Sequence, residues 1–279
     1  MKLKKNKKIN SLIIACDGES SSGKSTGAKL ISKKYKLHLL NSGLLFRFAG
    51  FLILKYKPKK KISFLKKKFR NLNYKYLNRL NLHSQEISNY TAIIAKQKKV
   101  RLITTNFQKQ FIKKYNKKIV IEGRDSASHI LNKNPRYDVA FFFKCNLSTA
   151  AYRRWKDLRM TNKRITLKEV KKSLKKRNEL DVKRRFSPLI RVKDSVLIRT
   201  DILDKRAMFN KMSEKIEYPQ IDPDKEAVQS KYIDGVHEQS ADSRSSEDLF
   251  DHNRSPKQGS ELHPNEGYHR NQGAGEYML

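Results

Sequence analysis

Between residues 11 and 216 the chain alternates short apolar runs with longer amphipathic stretches. The first run, Ser11 to Cys16, holds Leu12-Ile13-Ile14-Ala15 with no helical period and reads as a strand buried on both faces. Lys36 to Asn41 predicts a second strand and Lys118 to Ile121 a third. Asp138 to Cys145, with Phe141-Phe142-Phe143, predicts a fourth, and Ser195 to Arg199 a fifth. Between them apolar positions recur at helical spacing. Ala28, Leu30, Ile31 and Tyr35 follow the first strand, and Gly43 to Tyr56 the second. Leu147 to Leu158 and Leu167 to Asp181 follow the fourth, and Ile202 to Ile216 the fifth. Residues 57–118 carry helical patterns broken by Pro58 and by basic runs. Strands alternating with helices predict an α/β fold of three layers, a parallel five-stranded sheet covered on both faces. Ligands in such a fold sit at the carboxyl ends of the strands.

The pattern changes near residue 217. Residues 217–279 are rich in Ser, Asp, Glu, Gln, His, Gly and Pro, and their few large apolar residues keep no period. This tail holds 13 of the 27 acidic residues and 6 of the 63 basic ones, so it is net −7 against +43 for the body. A segment of this composition buries too little surface to offset its ordering entropy, and disorder is expected. The division is thus 1–216 as one domain and 217–279 as a polar acidic tail.

The formal net charge of +36 is extreme, and its lysines lie in runs from end to end. Lys, Asn and Ile are all frequent, as in translation of AT-rich DNA, so most of these runs read as solvated surface. Charge alone supports only non-specific attraction to polyanions. Cys16 and Cys145 fall inside apolar runs without metal-ligand spacing and read as small core residues, which suits a reducing cytoplasm. No stretch approaches the ~20 apolar residues of a membrane span. Met1 to Lys8 is basic, but the apolar stretch behind it, Leu12 to Cys16, is shorter than the ~7–15 residues of a signal core. A cytoplasmic monomer without membrane partners is expected.

Gly18-Glu19-Ser20-Ser21-Ser22-Gly23-Lys24-Ser25-Thr26 fits G-x-x-x-x-G-K-[ST], set between the first strand and the first helix. The backbone from Gly18 to Gly23 can wrap a phosphate, and the helix N-terminus adds positive potential. Lys24 can reach the β- and γ-phosphates of ATP, and the Ser25 or Thr26 hydroxyl can take a Mg²⁺ position. A Gly/Ser turn that happens to precede a helix is the bland alternative, and the flanking elements argue against it.

Further candidates lie at the other strand ends. Leu39-Leu40-Asn41-Ser42-Gly43 turns into a helix with Arg47 one turn inside. Glu122-Gly123-Arg124-Asp125 follows the third strand, and Glu122 sits where a Mg²⁺-ordering carboxylate is expected. Arg177, Asp181 and Arg184 share one face of a helical stretch that runs to Ser187-Pro188. Arg153 and Arg154 lie on the helix after strand four and, taken alone, read as a solvated face.

These pieces together resemble bacterial cytidylate kinases, a family of nucleoside monophosphate kinases, from about Leu12 to Met212. The matches are Asp17-Gly18 through Thr26, Leu39 to Gly43 with Arg47, Val100-Arg101, Gly123-Arg124-Asp125, Arg153-Arg154, and Arg177…Asp181…Arg184 with Ser187-Pro188-Leu189. The resemblance implies a P-loop fold with an acceptor-binding insertion at about 55–105 and a lid at about 153–184. It implies phosphorylation of CMP or dCMP by ATP. Arg47, Arg124 and Arg184 would hold the acceptor phosphate, and Arg177 and Asp181 the ribose side. Arg101 and Asp125, with Ser42 nearby, would read the cytosine, while Lys24, Arg153 and Arg154 act on the transferring phosphoryl group. Departures from the family pattern fall at Asn41, Phe46, His83, Ala92, Glu122, Ala150 and Arg199-Thr200. The rival readings are a kinase for another nucleoside monophosphate, and a basic nucleic-acid-binding protein with a vestigial phosphate loop.

Overall fold

The computed structural model describes residues 11–115, 117–160 and 163–219. The tail read as disordered, from residue 220 on, and the basic segment before residue 11 lie outside the described residues.

Five parallel strands form one sheet: β1 (Leu12–Gly18), β2 (His38–Asn41), β3 (Lys118–Glu122), β4 (Val139–Lys144) and β5 (Val196–Arg199), ordered β2-β3-β1-β4-β5. Their side chains alternate between two cores, which is why the runs are apolar throughout. Ile13, Ala15, Ile119 and Ile121 pack into one cluster, while Leu12, Ile14, Cys16, Val120, Phe141 and Phe143 pack into the other. The first face is covered by α2 (Ser42–Tyr56), α3 (Lys61–Arg70) and α6 (Lys98–Tyr115), through Leu45, Phe48, Leu65 and Ile103. The second is covered by α1 (Lys24–Lys34) and α9 (Lys205–Glu217), through Ala28, Ile31, Met208 and Met212. The result is the three-layer α/β fold that the alternation predicted, and the P-loop fold that the resemblance implied.

The remaining helices are α4 (Tyr74–Leu77), α5 (Gln85–Ile94), α7 (Leu147–Arg159) and α8 (Leu167–Lys183). The last two share a small core of their own, with Ala151, Leu158, Val170 and Leu174 at its centre and Trp155 packed against it. Polar residues start these helices where the sequence breaks its period. Asn41 caps α2, Ser84 α5, Asn146 α7 and Asp204 α9, while Thr166 and Glu169 form a reciprocal capping box at α8.

Most element ends shift by a few residues from the sequence expectation, and two of the shifts have a clear cause. β1 runs past Cys16 to Gly18, because Asp17 and Gly18 pair with Phe142 and Phe143 of β4. α9 runs to Glu217, whose carboxylate holds Lys34 and the Tyr35 hydroxyl at 2.8 Å each, so the first residue assigned to the tail belongs to the folded body.

Successive steps run from β1 outward to β3 and β2 on one side and to β4 and β5 on the other. The loop after β1 therefore opens at the topological switch point, where the crossovers leave a crevice.

Candidate active site

The loop after β1 is shaped by its ends. Gly18, at φ 144°, passes so close to β4 that a Cβ would meet the Phe143 carbonyl oxygen at 2.1 Å. Gly23, at φ 79°, is the left-handed residue that starts α1. Lys24 turns back inside and donates from Nζ to the Glu19 carbonyl at 2.6 Å, where it is only 4% exposed. Burial, with Arg124 and Arg177 nearby, pushes its ammonium down to about 7 against the pull of Glu122. The Ser22 hydroxyl also donates to the Glu19 carbonyl, at 2.9 Å. Ser25 Oγ donates to Glu122 Oε1 at 3.0 Å, while Glu122 Oε2 is buried without a partner.

A cavity of about 570 Å³ lies in front of the loop. Lys24, Ser25, Ser42, Arg47, Arg101, Glu122, Arg124, Asp125, Arg154, Arg177, Asp181 and Arg184 all face it, although they come from six elements and two loops. A second cavity of about 360 Å³ adjoins it on the other side of the loop. Ser22, Gly23, Thr26 and Arg153 line that one, along with Thr200 and Met208. Arg153 and Thr26 therefore belong to the neighbouring space, not to the arginine-lined cavity. Arg153 donates to the Thr200 hydroxyl and carbonyl at 3.0 and 2.6 Å, and the Thr200 hydroxyl donates to the Ser22 carbonyl at 3.1 Å. Arg153 is thus a brace for the phosphate loop.

The arginines on the main cavity are held by carboxylates and carbonyls. Arg124 donates to Asp181 and to the Ser20 hydroxyl, both at 3.0 Å. Arg184 donates to Asp181 Oδ1 at 3.2 Å and to the Ser187 carbonyl, and its Nη2 has no hydrogen-bond partner. The sequence placed Arg184 on the helix; it sits instead just past the end of α8 with an extended backbone, which swings it back toward Asp181. Burial opposes ionisation of Asp181, but Arg124, Arg177 and Arg184 outweigh it and hold its carboxyl below the usual range. Arg47 donates to the Leu82 carbonyl at 2.9 Å and the Ser88 hydroxyl at 2.8 Å, and burial, with Arg177, Arg154 and Arg124 around it, lowers it to about 8. His83 feels burial and the same cations, Arg47 and Arg154 first, and drops to about 4, so it is neutral at pH 7.

At the far end of the cavity Arg101 and Asp125 form a buried ion pair at 2.9 Å. Arg101 Nε and Nη1 have no partner, and its guanidinium lies 5.1 Å from the centre of the Phe46 ring. The Thr91 hydroxyl is also buried on this cavity without a partner, beside Ala92. Ser42 Oγ accepts from Gln108 at 2.7 Å.

Three positioning residues were given no role in the sequence reading, although Asp17 was among the family matches. Asp17, buried at the end of β1, accepts from the Ser126 and Ala127 N–H groups at 2.8 and 2.7 Å, and so holds the segment that carries Arg124 and Asp125. Burial raises its carboxyl to about 6 against those two N–H groups. A charge ending an apolar run was the signal for it. Asn178 Oδ1 accepts from the Ser20 N–H at 3.0 Å, and Gln85 donates to Ser173 Oγ at 2.8 Å. Nothing in the spacing of the sequence marks either contact.

A strand, glycine loop and helix around a buried lysine, at the switch point of a parallel sheet and facing a ring of arginines, define a P-loop phosphotransferase. The family model for cytidylate kinase matches residues 14–218. A cytidylate kinase of Mesomycoplasma hyopneumoniae strain 7448 is 31% identical over 222 residues, spanning 75% of this chain and 94% of that protein. A cytidylate kinase of Thermosipho melanesiensis is 32% identical, spanning 67% of this chain and 88% of that protein. One from Clostridioides difficile strain 630 is 29% identical, spanning 69% and 92%. The chain belongs to the cytidylate kinase family. It is a nucleoside monophosphate kinase, and ATP is its phosphoryl donor. No helix among the described residues is long and apolar enough to cross a membrane.

Proposed function

We propose that the chain transfers the terminal phosphoryl group of ATP to CMP or dCMP. The observation that carries this reading is the Arg101–Asp125 pair with Arg101 Nε and Nη1 unpartnered in a buried position. Each buried donor left unpaired costs about 1–3 kcal/mol, so a ligand that accepts there is strongly favoured. Cytosine offers acceptors at N3 and O2 and a donor at N4, matching a donor fork beside a carboxylate. Thr91 supplies a free hydroxyl next to Ala92, where the family pattern has serine.

Arg47, Arg124 and Arg184 bind the acceptor phosphate, with Arg177 and Asp181 on the ribose side. Lys24 and Arg154 face the gap between the two nucleotides, where charge develops during transfer. Residues 18–26 wrap the ATP phosphates, and the second cavity, behind Arg153 and Thr200, takes the rest of the donor. Mg²⁺ fits the Ser25–Glu122 pair, because Glu122 Oε2 is buried with no protein donor, and it would neutralise phosphate charge there. Thr26 lies on the other side of the loop, which favours Ser25 as the hydroxyl ligand. Residues at about 55–105 form the acceptor-binding region and those at about 153–184 the lid. Gln85 and Ser173 join the two across the cavity, and the closed site excludes water that would otherwise consume ATP. No covalent intermediate is needed: positioning and charge neutralisation suffice.

A panel of nucleoside monophosphates with ATP tests the substrate. CMP and dCMP are expected to be preferred over UMP by at least about tenfold, since UMP sets a carbonyl against Asp125. Equal rates with UMP or AMP reject the cytosine reading and leave the kinase class standing.

Lysine at Arg124 or Arg184 keeps the charge but loses the fork. With a charge-assisted bond worth about 1.5–3 kcal/mol, KM for CMP is expected to rise about 10- to 100-fold while KM for ATP moves little. Equal effects on both substrates would reject the role.

Lys24 also predicts a proton linkage. Polyphosphate binding stabilises the charged ammonium and lifts it from about 7 toward its free value. ATP binding near pH 8 is therefore expected to take up a proton, seen as a binding heat that changes between buffers of different ionisation enthalpy. Buffer-independent heat would show that Lys24 does not meet the phosphates.

A further inference from the structure

The positive charge is unevenly placed. Residues 20–121 hold 26 lysines and arginines against one acid, Glu86, whereas residues 122–216 hold 26 against 11. AT-rich DNA favours Lys codons over those of Asp and Glu, which carry a G, but such a bias acts on both halves alike. It therefore does not explain why acids are missing from one half. Much of this charge lies on α3 and on the outer side of α6. Neither helix contains an acidic residue. Among the described residues, no lysine of either helix and no α3 arginine forms an ion pair; only Arg101, on the inner side of α6, does.

The two helices pack side by side and leave a groove of about 590 Å³ between them. Lys66, Arg70 and Lys99 rim it, the amides of Asn106 and Gln110 face it, and Leu102 and Phe107 give it an apolar floor. Leu102 is 53% exposed. Lys99, Leu102, Asn106 and Gln110 recur at helical spacing on one side of α6, opposite the inward-facing Arg101, Thr104 and Gln108. None of the residues lining this groove lines the nucleotide cavities.

We propose that the α3–α6 groove binds single-stranded RNA with little sequence preference. Lys66 and Arg70 lie one turn apart on α3, with Lys99 across the groove on α6, so the rim offers cations to successive phosphates. The apolar floor with two amides offers a base both a stacking surface and edge contacts, which a duplex could not reach. A lipid surface would call for several protruding apolar side chains, and the groove presents Leu102 alone.

The test measures binding of a labelled oligouridylate to the full chain across a salt series. Three proteins are compared: the parent, the triple variant Lys66→Glu/Arg70→Glu/Lys99→Glu, and the control Lys168→Glu/Lys183→Glu/Lys193→Glu. All six positions are exposed. The groove variant is expected to bind at least about tenfold more weakly and to lower the slope of log K against log salt by about 2, the control far less. Far-ultraviolet circular dichroism and thermal unfolding midpoints matching the parent's show that both variants fold. Four results would overturn the proposal. These are no binding by the parent at physiological salt, equal weakening by both triples, displacement of the RNA by ATP with CMP, and equally tight groove-dependent binding of anionic vesicles.

Discussion

Lys24→Ala is expected to lower turnover by at least about 10²-fold while leaving the fold intact. The two parts of this expectation have one physical source. Lys24 is a buried cation that donates to a neutral carbonyl of its own loop, Glu19 at 2.6 Å. Two more cations, Arg124 and Arg177, lower its proton affinity further. In the free protein the charge is thus held at a desolvation cost, and removing it does not weaken the fold through a lost ion pair. Its charge is matched only when a donor phosphate replaces the carbonyl, and it counts most when negative charge passes between the two nucleotides. Single-turnover kinetics and thermal unfolding of the same preparation separate the two quantities. A folded variant within a few-fold of the parent would reject the phosphate-loop role. A variant that does not fold would reject the view that Lys24 is there for chemistry.

Asp181→Ala should do the reverse, with a loss of stability of about 3–5 kcal/mol as well as weaker acceptor binding. Asp181 is the shared partner of Arg124 and Arg184, and Arg177 lowers its carboxyl as well. Its loss leaves a cluster of partly buried cations with no carboxylate except Asp125, which stands 3.8 Å from Arg184 and is already paired with Arg101. On the proposed reading CMP would bring a phosphate to the same cluster, so saturating CMP should recover more stability in the variant than in the parent. The pH dependence has a definite sign. The folded-state carboxyl lies below its unfolded value of about 3.9, so its contribution is complete above that value and is lost as pH falls through the folded one. Urea unfolding should show the parent and the variant converging below about pH 4. A stability change under about 1 kcal/mol at pH 7 would show that the arginines are satisfied without Asp181.

The basis of the departures from the family pattern is local. Asn41 still caps α2, since its amide oxygen accepts from the Leu44 N–H at 3.2 Å as an aspartate would. Phe46 keeps an aromatic face against Arg101. Thr200 still bridges Arg153 to the phosphate loop through its hydroxyl and carbonyl.

What the sequence determined by itself is everything that depends on neighbours along the chain. The strands were legible because strands buried on both faces must be apolar, and the sheet indeed splits the runs of β1 to β4 between two cores. The phosphate loop was legible because its conformation needs glycine at fixed places and its helix follows at once. The helices of residues 57–118 were blurred, because lysines on their solvent side fill the period that would have marked them. The tertiary structure alone decided the pairings. Ser25 meets Glu122, 97 residues away, only because β3 lies beside β1 in the register Cys16 to Glu122. Arg124 meets Asp181, and Ser20 meets Asn178, because α8, packed on α7 and α5, comes back to the loops after β3 and β1. Arg153 was separated from Arg154 by the same geometry: adjacent helical residues point about 100° apart, so one braces the loop and the other faces the acceptor cavity. Spacing along a chain fixes which residues share a face of one element. Which faces then meet is set by strand order and by the packing of the two cores.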